Sequence, residues 1–236
     1  MSIEPSRAPH DRADQLIAIQ RHGFLGRLSP EHAADLIRSA PLVHYPAGRA
    51  SPAGRGSPWA VIVASGLVRQ FLPSANGRQV TIGYARAGDL ICSSFDANPP
   101  ANVEIEAVEA SELLHVDAVR LERMARLEPE LAMALVEELS HRLRRAYLTL
   151  AGNTFATVRT RVARDLLERA VEAEAQPPRA HVRVTQQGLA DATGSVREVV
   201  TRAMREMRLQ GLIQTDQSWI TILDRDGLIR EAGQSD

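Results

Sequence analysis

The 236-residue sequence has a single cysteine, Cys92, no lysine, and no long uninterrupted apolar run. One cysteine excludes a disulfide framework, and it excludes the zinc and iron–sulfur sites that need four cysteines. Without about 18 consecutive apolar residues, a transmembrane helix is not expected. The charged, proline-bearing segment Met1–Asp14 lacks the apolar stretch of a secretory signal peptide, so we expect a cytoplasmic protein.

Charge is nearly balanced, which limits how this chain could attract a nucleic acid. All 28 basic residues are arginine, there are 29 acidic residues, and the formal net charge is −1. Any DNA-binding surface must therefore be a local cluster of arginines rather than a property of the whole chain.

Short apolar runs separated by turn signals, from about Val43 to Asp117, predict a β-rich first part. Asn76-Gly77 is the strongest hairpin signal because both residues accept a positive φ easily. Ser51–Pro58 is rich in glycine, proline and serine and predicts an exposed loop. Many short strands of this kind are typical of a barrel, roll or jelly roll.

A long helix with a heptad repeat follows, beginning near Pro129. Its apolar positions recur at alternating spacings of four and three: Ala132, Val136, Leu139, Leu143, Ala146 and Leu150. This seam predicts two helices packed along their length. The predicted dimer interface is Val136, Leu139, Leu143, Ala146 and Leu150. A helix buried within its own chain is the alternative, and Gly152-Asn153 is expected to end or hinge the helix.

The third part predicts a winged helix-turn-helix. A helix from about Val158 precedes a short helix capped by Thr185, and Gly194 separates that helix from another running from Ser195 to about Gln210. Two strands around a short loop complete the pattern. The predicted class is α+β, with a β-roll domain and leading helix at 1–127, a dimerisation helix and hinge at 128–153, and the winged domain at 154–236.

The helix from Ser195 is amphipathic in a way that suits base recognition. Apolar positions are predicted to face the core: Val196, Val199, Val200, Ala203, Met204 and Met207. The opposite face carries Arg197, Glu198, Thr201, Arg202 and Arg205. Arginine donates two hydrogen bonds to guanine, and glutamate accepts one from the cytosine amino group. The competing interpretation is a capping box, in which Glu198 turns back to Ser195.

Gly194–Arg202 resembles the recognition-helix motif G-x-x-R-E-x-V-x-R of the CRP/FNR transcription regulators, and the chain resembles this family from about Tyr45 to Gly227. The resemblance implies a homodimer that contacts RNA polymerase and is not an enzyme. It also implies half-sites resembling TGTGA, in which Arg197 and Arg202 contact guanines and Glu198 a cytosine. The implied DNA-binding residues are Thr185, Gln186, Ser195, Arg197, Glu198, Thr201 and Arg202, with Thr185 and Gln186 near phosphates.

The sensor region departs from the pattern of cyclic-nucleotide binders. Gly88-Asp89-Leu90 is followed by no arginine up to Asn102, so the usual partner of a cyclic phosphate is absent. The candidate pocket residues are Gly88, Asp89, Leu90, Arg142 and Tyr147, and we expect no tight binding of cyclic AMP. The alternatives are a regulator that still responds to a cyclic nucleotide, one that binds haem through Cys92, and one with an empty pocket.

Two other classes of protein compete with a regulator of this kind. A metal-dependent enzyme on a β-roll needs clustered ligands, but the seven histidines form neither an H-x-H pair nor an H-E-x-x-H motif. A regulatory module that docks another protein without binding DNA would not need the arginine-bearing helix.

Overall fold

The computed structural model describes residues 23–38, 40–51, 59–74, 78–92, 103–170, 180–216 and 219–233, with only the backbone at 50, 51, 153 and 154. The chain divides into two compact units. One takes in residues up to Leu72 together with Ile82–Ala146, and the other takes in Pro73–Thr81 together with the chain from Tyr147 onward. Among the helices described, none is long and apolar enough to cross a membrane.

Eight short strands of the first part form the predicted roll. They are β1 (Leu42–Tyr45), β2 (Ala50–Ser51), β3 (Ala60–Ser65), β4 (Val68–Pro73), β5 (Gln79–Ala85), β6 (Leu90–Cys92), β7 (Glu104–Ala107) and β8 (Ser111–Val116). Two four-stranded sheets result, in the orders β1-β8-β3-β6 and β2-β7-β4-β5. Alternate residues from both sheets, among them Val61, Val68 and Ile105, are buried together in one apolar cluster. The prediction of a jelly-roll type domain is confirmed.

The predicted hairpin and loop fall partly outside the described residues. Strands β4 and β5 are neighbours, and the Ser74 amide donates a hydrogen bond of 2.8 Å to the Arg78 carbonyl. Asn76-Gly77 itself lies outside the description. The same is true of 52–58 in the predicted loop, whereas Ser51, which was included in that loop, ends strand β2.

Three helices pack against the sheet that contains β3. They are α1 (Pro30–Arg38), α2 (Ala118–Leu127) and α3 (Pro129–Phe155). Leu36, Leu121 and Leu131 from these helices share a buried cluster with Ile62 and Leu90 of the sheet. Helix α2 begins where the Asp117 side chain accepts hydrogen bonds from two backbone amides of its first turn.

The long helix runs past Gly152-Asn153, where it was expected to end or hinge, so the predicted end is wrong by two residues. It continues to Phe155, and the Ala156 amide still donates to the Gly152 carbonyl at 3.1 Å. A Cβ at Gly152 would touch the guanidinium of Arg164, the end of a flexible side chain that can move aside.

The C-terminal elements form the predicted winged helix-turn-helix. They are α4 (Val158–Ala170), β9 (His181–Arg183), α5 (Gln186–Thr193), α6 (Arg197–Leu209), β10 (Ile213–Asp216), β11 (Trp219–Ile222) and α7 (Arg225–Glu231). The strands make one antiparallel sheet in the order β10-β11-β9. Leu166, Leu189, Met204 and Ile220 are buried in a single core that joins three of the helices to the wing. The α+β class is confirmed, while β9 and α7 were not predicted.

Candidate nucleic-acid interface

A tight turn sets the two helices of the helix-turn-helix against each other. Helix α5 begins at Thr185, whose hydroxyl accepts a hydrogen bond from the Gly188 amide at 3.0 Å, as predicted. It ends at Gly194, where φ is +62°. The Ser195 amide then donates back to the Ala190 carbonyl at 2.9 Å. This left-handed residue lets the chain reverse direction immediately, so α6 starts only three residues later.

The apolar face of α6 anchors it to the core, with one exception at its start. Val200, Ala203, Met204 and Met207 are buried, and Val199 is partly buried. Val196 is 43% exposed, so the prediction that it faces the core is wrong. The reason is its position: Val196 is the N-cap, with φ −104° and ψ 149°, and its extended backbone takes it off the helical periodicity.

The polar face of α6 is exposed to solvent. Every member of the predicted set on this helix is exposed: Arg197, Glu198, Thr201, Arg202 and Arg205. Ser195 lies in the turn and is partly buried. The capping box is not formed, because the N-cap is Val196 and its side chain makes no capping hydrogen bond. Glu198 is therefore not committed to Ser195.

One hydrogen bond joins the exposed faces of the two helices. The Thr201 hydroxyl lies 2.8 Å from Gln186 Oε1 and also 2.8 Å from the Arg197 carbonyl. Gln186 is the first residue of α5, and Thr201 is in the second turn of α6. The fold thus brings Gln186 and Thr201, two of the residues implied by the family motif, into direct contact on one surface.

An ionic cluster connects the C-terminal end of α6 to helices α4 and α7. The Arg159 guanidinium of α4 contacts Glu206 at 3.5 Å and Glu231 at 2.5 Å, and it donates to the Gln210 side chain. Its partners belong to the end of α6 and to α7. The cluster is partly buried, so salt screens the attraction between its charges less than it screens a fully exposed ion pair.

The wing, which is the sheet of β9, β10 and β11, carries an exposed arginine that the sequence patterns did not identify. Arg183 of β9 pairs across the sheet with Trp219 of β11, and its guanidinium lies 6.0 Å from the centre of the indole ring. Both residues are exposed. Strand β9 is only three residues long, although the alternation of exposed His181, buried Val182 and exposed Arg183 is the period-two signal that could have identified it.

The predicted seam of α3 is exposed to solvent in the part of the chain that the structure describes. Val136, Leu139, Leu143 and Leu150 are each 51–64% exposed, and Ala146 is exposed as well. The side of the helix that packs on the roll is different, with Leu131, Ala134 and Leu135 buried. The alternative of a helix buried wholly within one chain is therefore wrong.

In the candidate sensor region, the Gly88-Asp89-Leu90 segment is occupied by contacts within the fold. Gly88 has φ +90°, and its carbonyl accepts a hydrogen bond from the Phe24 amide at 2.8 Å. The Asp89 carboxylate accepts from the Arg86 amide at 2.9 Å, which closes the turn before β6. Leu90 is buried in the core.

The other two candidate pocket residues lie in different surroundings. Arg142 donates to Glu138 at 3.1 Å and reaches the Cys92 sulfur at 3.5 Å, and Glu138 also binds Arg27 at 3.0 Å. Tyr147 is 63% exposed. Within the described ranges, no group of three or more histidine, cysteine or acidic side chains is arranged to hold a metal ion.

Comparison with known proteins agrees with this architecture. The family model of the Crp-like helix-turn-helix domain matches residues 160–231. The chain is 29% identical over 231 residues to the CRP-like cAMP-activated global transcriptional regulator of Mycobacterium tuberculosis, covering 93% of this chain and 99% of the relative.

Two solved structures extend the comparison to the fold. A CRP/FNR-family transcriptional regulator from Thermus thermophilus superposes with a TM-score of 0.65 at 26% identity, over 81% of this chain and 98% of its own. The c-di-GMP responsive global regulator CLP of Xanthomonas campestris reaches a TM-score of 0.70 at 21% identity, over 83% and 100%. These relatives are transcription regulators rather than enzymes. The chain carries the Crp-like helix-turn-helix domain at residues 160–231, and over most of its length it is similar to regulators of the CRP/FNR family.

Proposed function

We propose that the protein binds DNA as a homodimer at a near-palindromic site with TGTGA-like half-sites, and that α6 reads base edges in the major groove. The observation that carries this proposal is that one face of α6 is polar and exposed while the opposite face is apolar and buried. Arg197, Glu198 and Arg202 are exposed on its first two turns, while Val200 and Met204 fix the opposite side in the core. A helix anchored in this way presents its N-terminal residues to a groove.

The chemistry of these side chains assigns them different bases. Arg197 and Arg202 each offer paired donors that match guanine O6 and N7, and Glu198 accepts from the cytosine amino group. Because no capping box engages Glu198, its carboxylate can face the DNA. Thr185 and Gln186 at the start of α5, with Ser195 in the turn, lie beside the readout face and are proposed to position the protein on phosphates.

A second copy of the chain is the proposed partner of the α3 seam. Four large apolar side chains on one stripe of α3 are about half exposed, and a twofold dimer buries the same stripe of both copies against each other. Dimerisation also accounts for a palindromic site, since two recognition helices then enter successive major grooves about 34 Å apart.

We further propose that the roll does not bind cyclic AMP tightly. The M. tuberculosis relative is named as activated by cAMP and the X. campestris protein as responsive to c-di-GMP, so effectors differ within this fold. In this chain Asp89 closes its own turn and Arg142 is engaged by Glu138. The charge of Arg142 is thus already paired with the Glu138 carboxylate, which weakens its attraction for a further anion in the roll.

As a DNA-binding regulator, the protein is proposed to act in the cytoplasm and to contact RNA polymerase. The proposed DNA binding is tested with Arg197→Ala. For wild-type protein, the palindrome should bind more tightly than a duplex in which the contacted guanine is replaced by another base, and the variant should reduce this difference in binding free energy by about 1–3 kcal/mol. The matched control is Arg208→Ala, because Arg208 is exposed on the same helix about 16 Å further along its axis. An equal loss on all duplexes for Arg197→Ala would mean that Arg197 touches only phosphates.

A further inference from the structure

Val196 departs from two local rules at the start of the recognition helix. It is a branched apolar side chain that is 43% exposed, although the rest of the apolar stripe of α6 is covered. It also occupies the N-cap, where its side chain makes no hydrogen bond to the first turn. Valine is among the poorest residues at this position, where serine, threonine, aspartate and asparagine are preferred.

The place of Val196 ties these departures to the DNA-binding face. It lies between Ser195 of the turn and Arg197, and the exposed side chains of Arg197 and Glu198 follow it directly. Val196 thus combines a poor capping side chain with exposed apolar surface beside two exposed charged residues, and a local rule broken in this way is expected at a functional contact.

We propose that Val196 packs against the 5-methyl group of a thymine and so specifies that base in each half-site. The 5-methyl of thymine is the one apolar group that base edges display in the major groove, and apolar side chains recognise it by contact. This inference rests on the proposed readout by α6 and adds a thymine to the guanines and cytosine assigned to Arg197, Arg202 and Glu198.

The test removes only the methyl group. A labelled TGTGA-N6-TCACA duplex is compared with duplexes in which uracil replaces one thymine at a time, symmetrically in both half-sites. Burying a group of this size stabilises by about 0.8 kcal/mol, so one thymine in the series should show about a fourfold loss of affinity per half-site. The other uracil substitutions should leave the affinity of the wild-type protein nearly unchanged.

Variants at position 196 connect that loss to the side chain. Val196→Ser places a preferred capping residue on the helix, so the variant should fold, yet it should bind the thymine and uracil duplexes equally. Val196→Ile keeps the apolar contact and should retain the discrimination. Leu209→Ser is the matched control, because Leu209 is 79% exposed at the opposite end of α6 and its loss should leave the uracil effect intact.

The possible failures are distinguishable. If wild-type protein binds the palindrome specifically but no uracil substitution weakens it, or if Val196→Ser shows the same uracil effect, the inference about Val196 is overturned and the proposed function stands. If wild-type protein does not prefer the palindrome to a scrambled duplex, both are overturned.

Discussion

Replacing Leu143 by alanine tests the proposed dimer interface on α3, and the expected loss of dimer stability follows from the exposed fraction of the leucine side chain. Leu143 is 53% exposed in the single chain, and full burial of a leucine side chain stabilises by about 1.5–3 kcal/mol. Covering its exposed half therefore contributes about 1 kcal/mol. A twofold dimer contains the residue twice, so Leu143→Ala should weaken the dimer by about 2 kcal/mol, a roughly 30-fold increase in the dimer Kd.

Sedimentation equilibrium over a range of protein concentrations measures that Kd directly. The matched control is Leu148→Ala, since Leu148 is 62% exposed on the same helix but lies about 140° around its axis from Leu143. The control should leave the Kd unchanged. If the two variants weaken the dimer equally, or if Leu143→Ala has no effect, then the heptad stripe is not the interface.

Three further predictions concern the fold around the site. Gly194→Ala should lower the free energy of unfolding by about 1–2 kcal/mol because φ is +62° there, and an unchanged thermal midpoint would contradict the role of the turn. Asp165→Ala should cost about 1.5–3 kcal/mol in denaturant titration, since it removes a charged hydrogen bond of 2.7 Å to Arg169 in which both side chains are buried. Glu122→Ala, which breaks the more exposed pair with Arg126, should cost under about 1 kcal/mol. Burial lowers the pKa of His115 below its usual value of 6.5. Just below pH 6.5, this histidine is therefore protonated more in the unfolded chain than in the folded chain. The free energy of unfolding should therefore decrease as the pH falls below about 6.5, and melts of His115→Gln should show a smaller decrease.

The helix-turn-helix could be predicted from sequence because its signals are local. A capping threonine, a glycine in the turn and a regular apolar stripe each act within a few residues, and Thr185, Gly194 and Met204 all behave as predicted. The same reasoning placed Val196 in the core because it extends the stripe. Periodicity holds only for residues with helical backbone, and an N-cap has already left the helix.

Two features of the other helices were missed. Gly152-Asn153 was expected to end or hinge α3, yet the helix continues to Phe155, because glycine and asparagine lower helix propensity without forbidding a helix. Helix α2 was not predicted although Asp117 provides a cap, because its ten residues are short for an amphipathic pattern to be distinctive. The seam of α3 stays a predicted interface: its apolar stripe is exposed in the single chain, and the heptad repeat over several turns is the signal that identified it.

The central claim is specific DNA binding without a requirement for cyclic AMP. It is tested most directly by fluorescence anisotropy of a labelled TGTGA-N6-TCACA duplex and a scrambled duplex, titrated at one fixed salt concentration with and without the nucleotide. The protein should bind the palindrome tightly and the scrambled duplex much more weakly, with no change on adding cyclic AMP. Equal binding to both duplexes would contradict the proposed readout by α6, and binding that appears only with cyclic AMP would contradict the account of the sensor region.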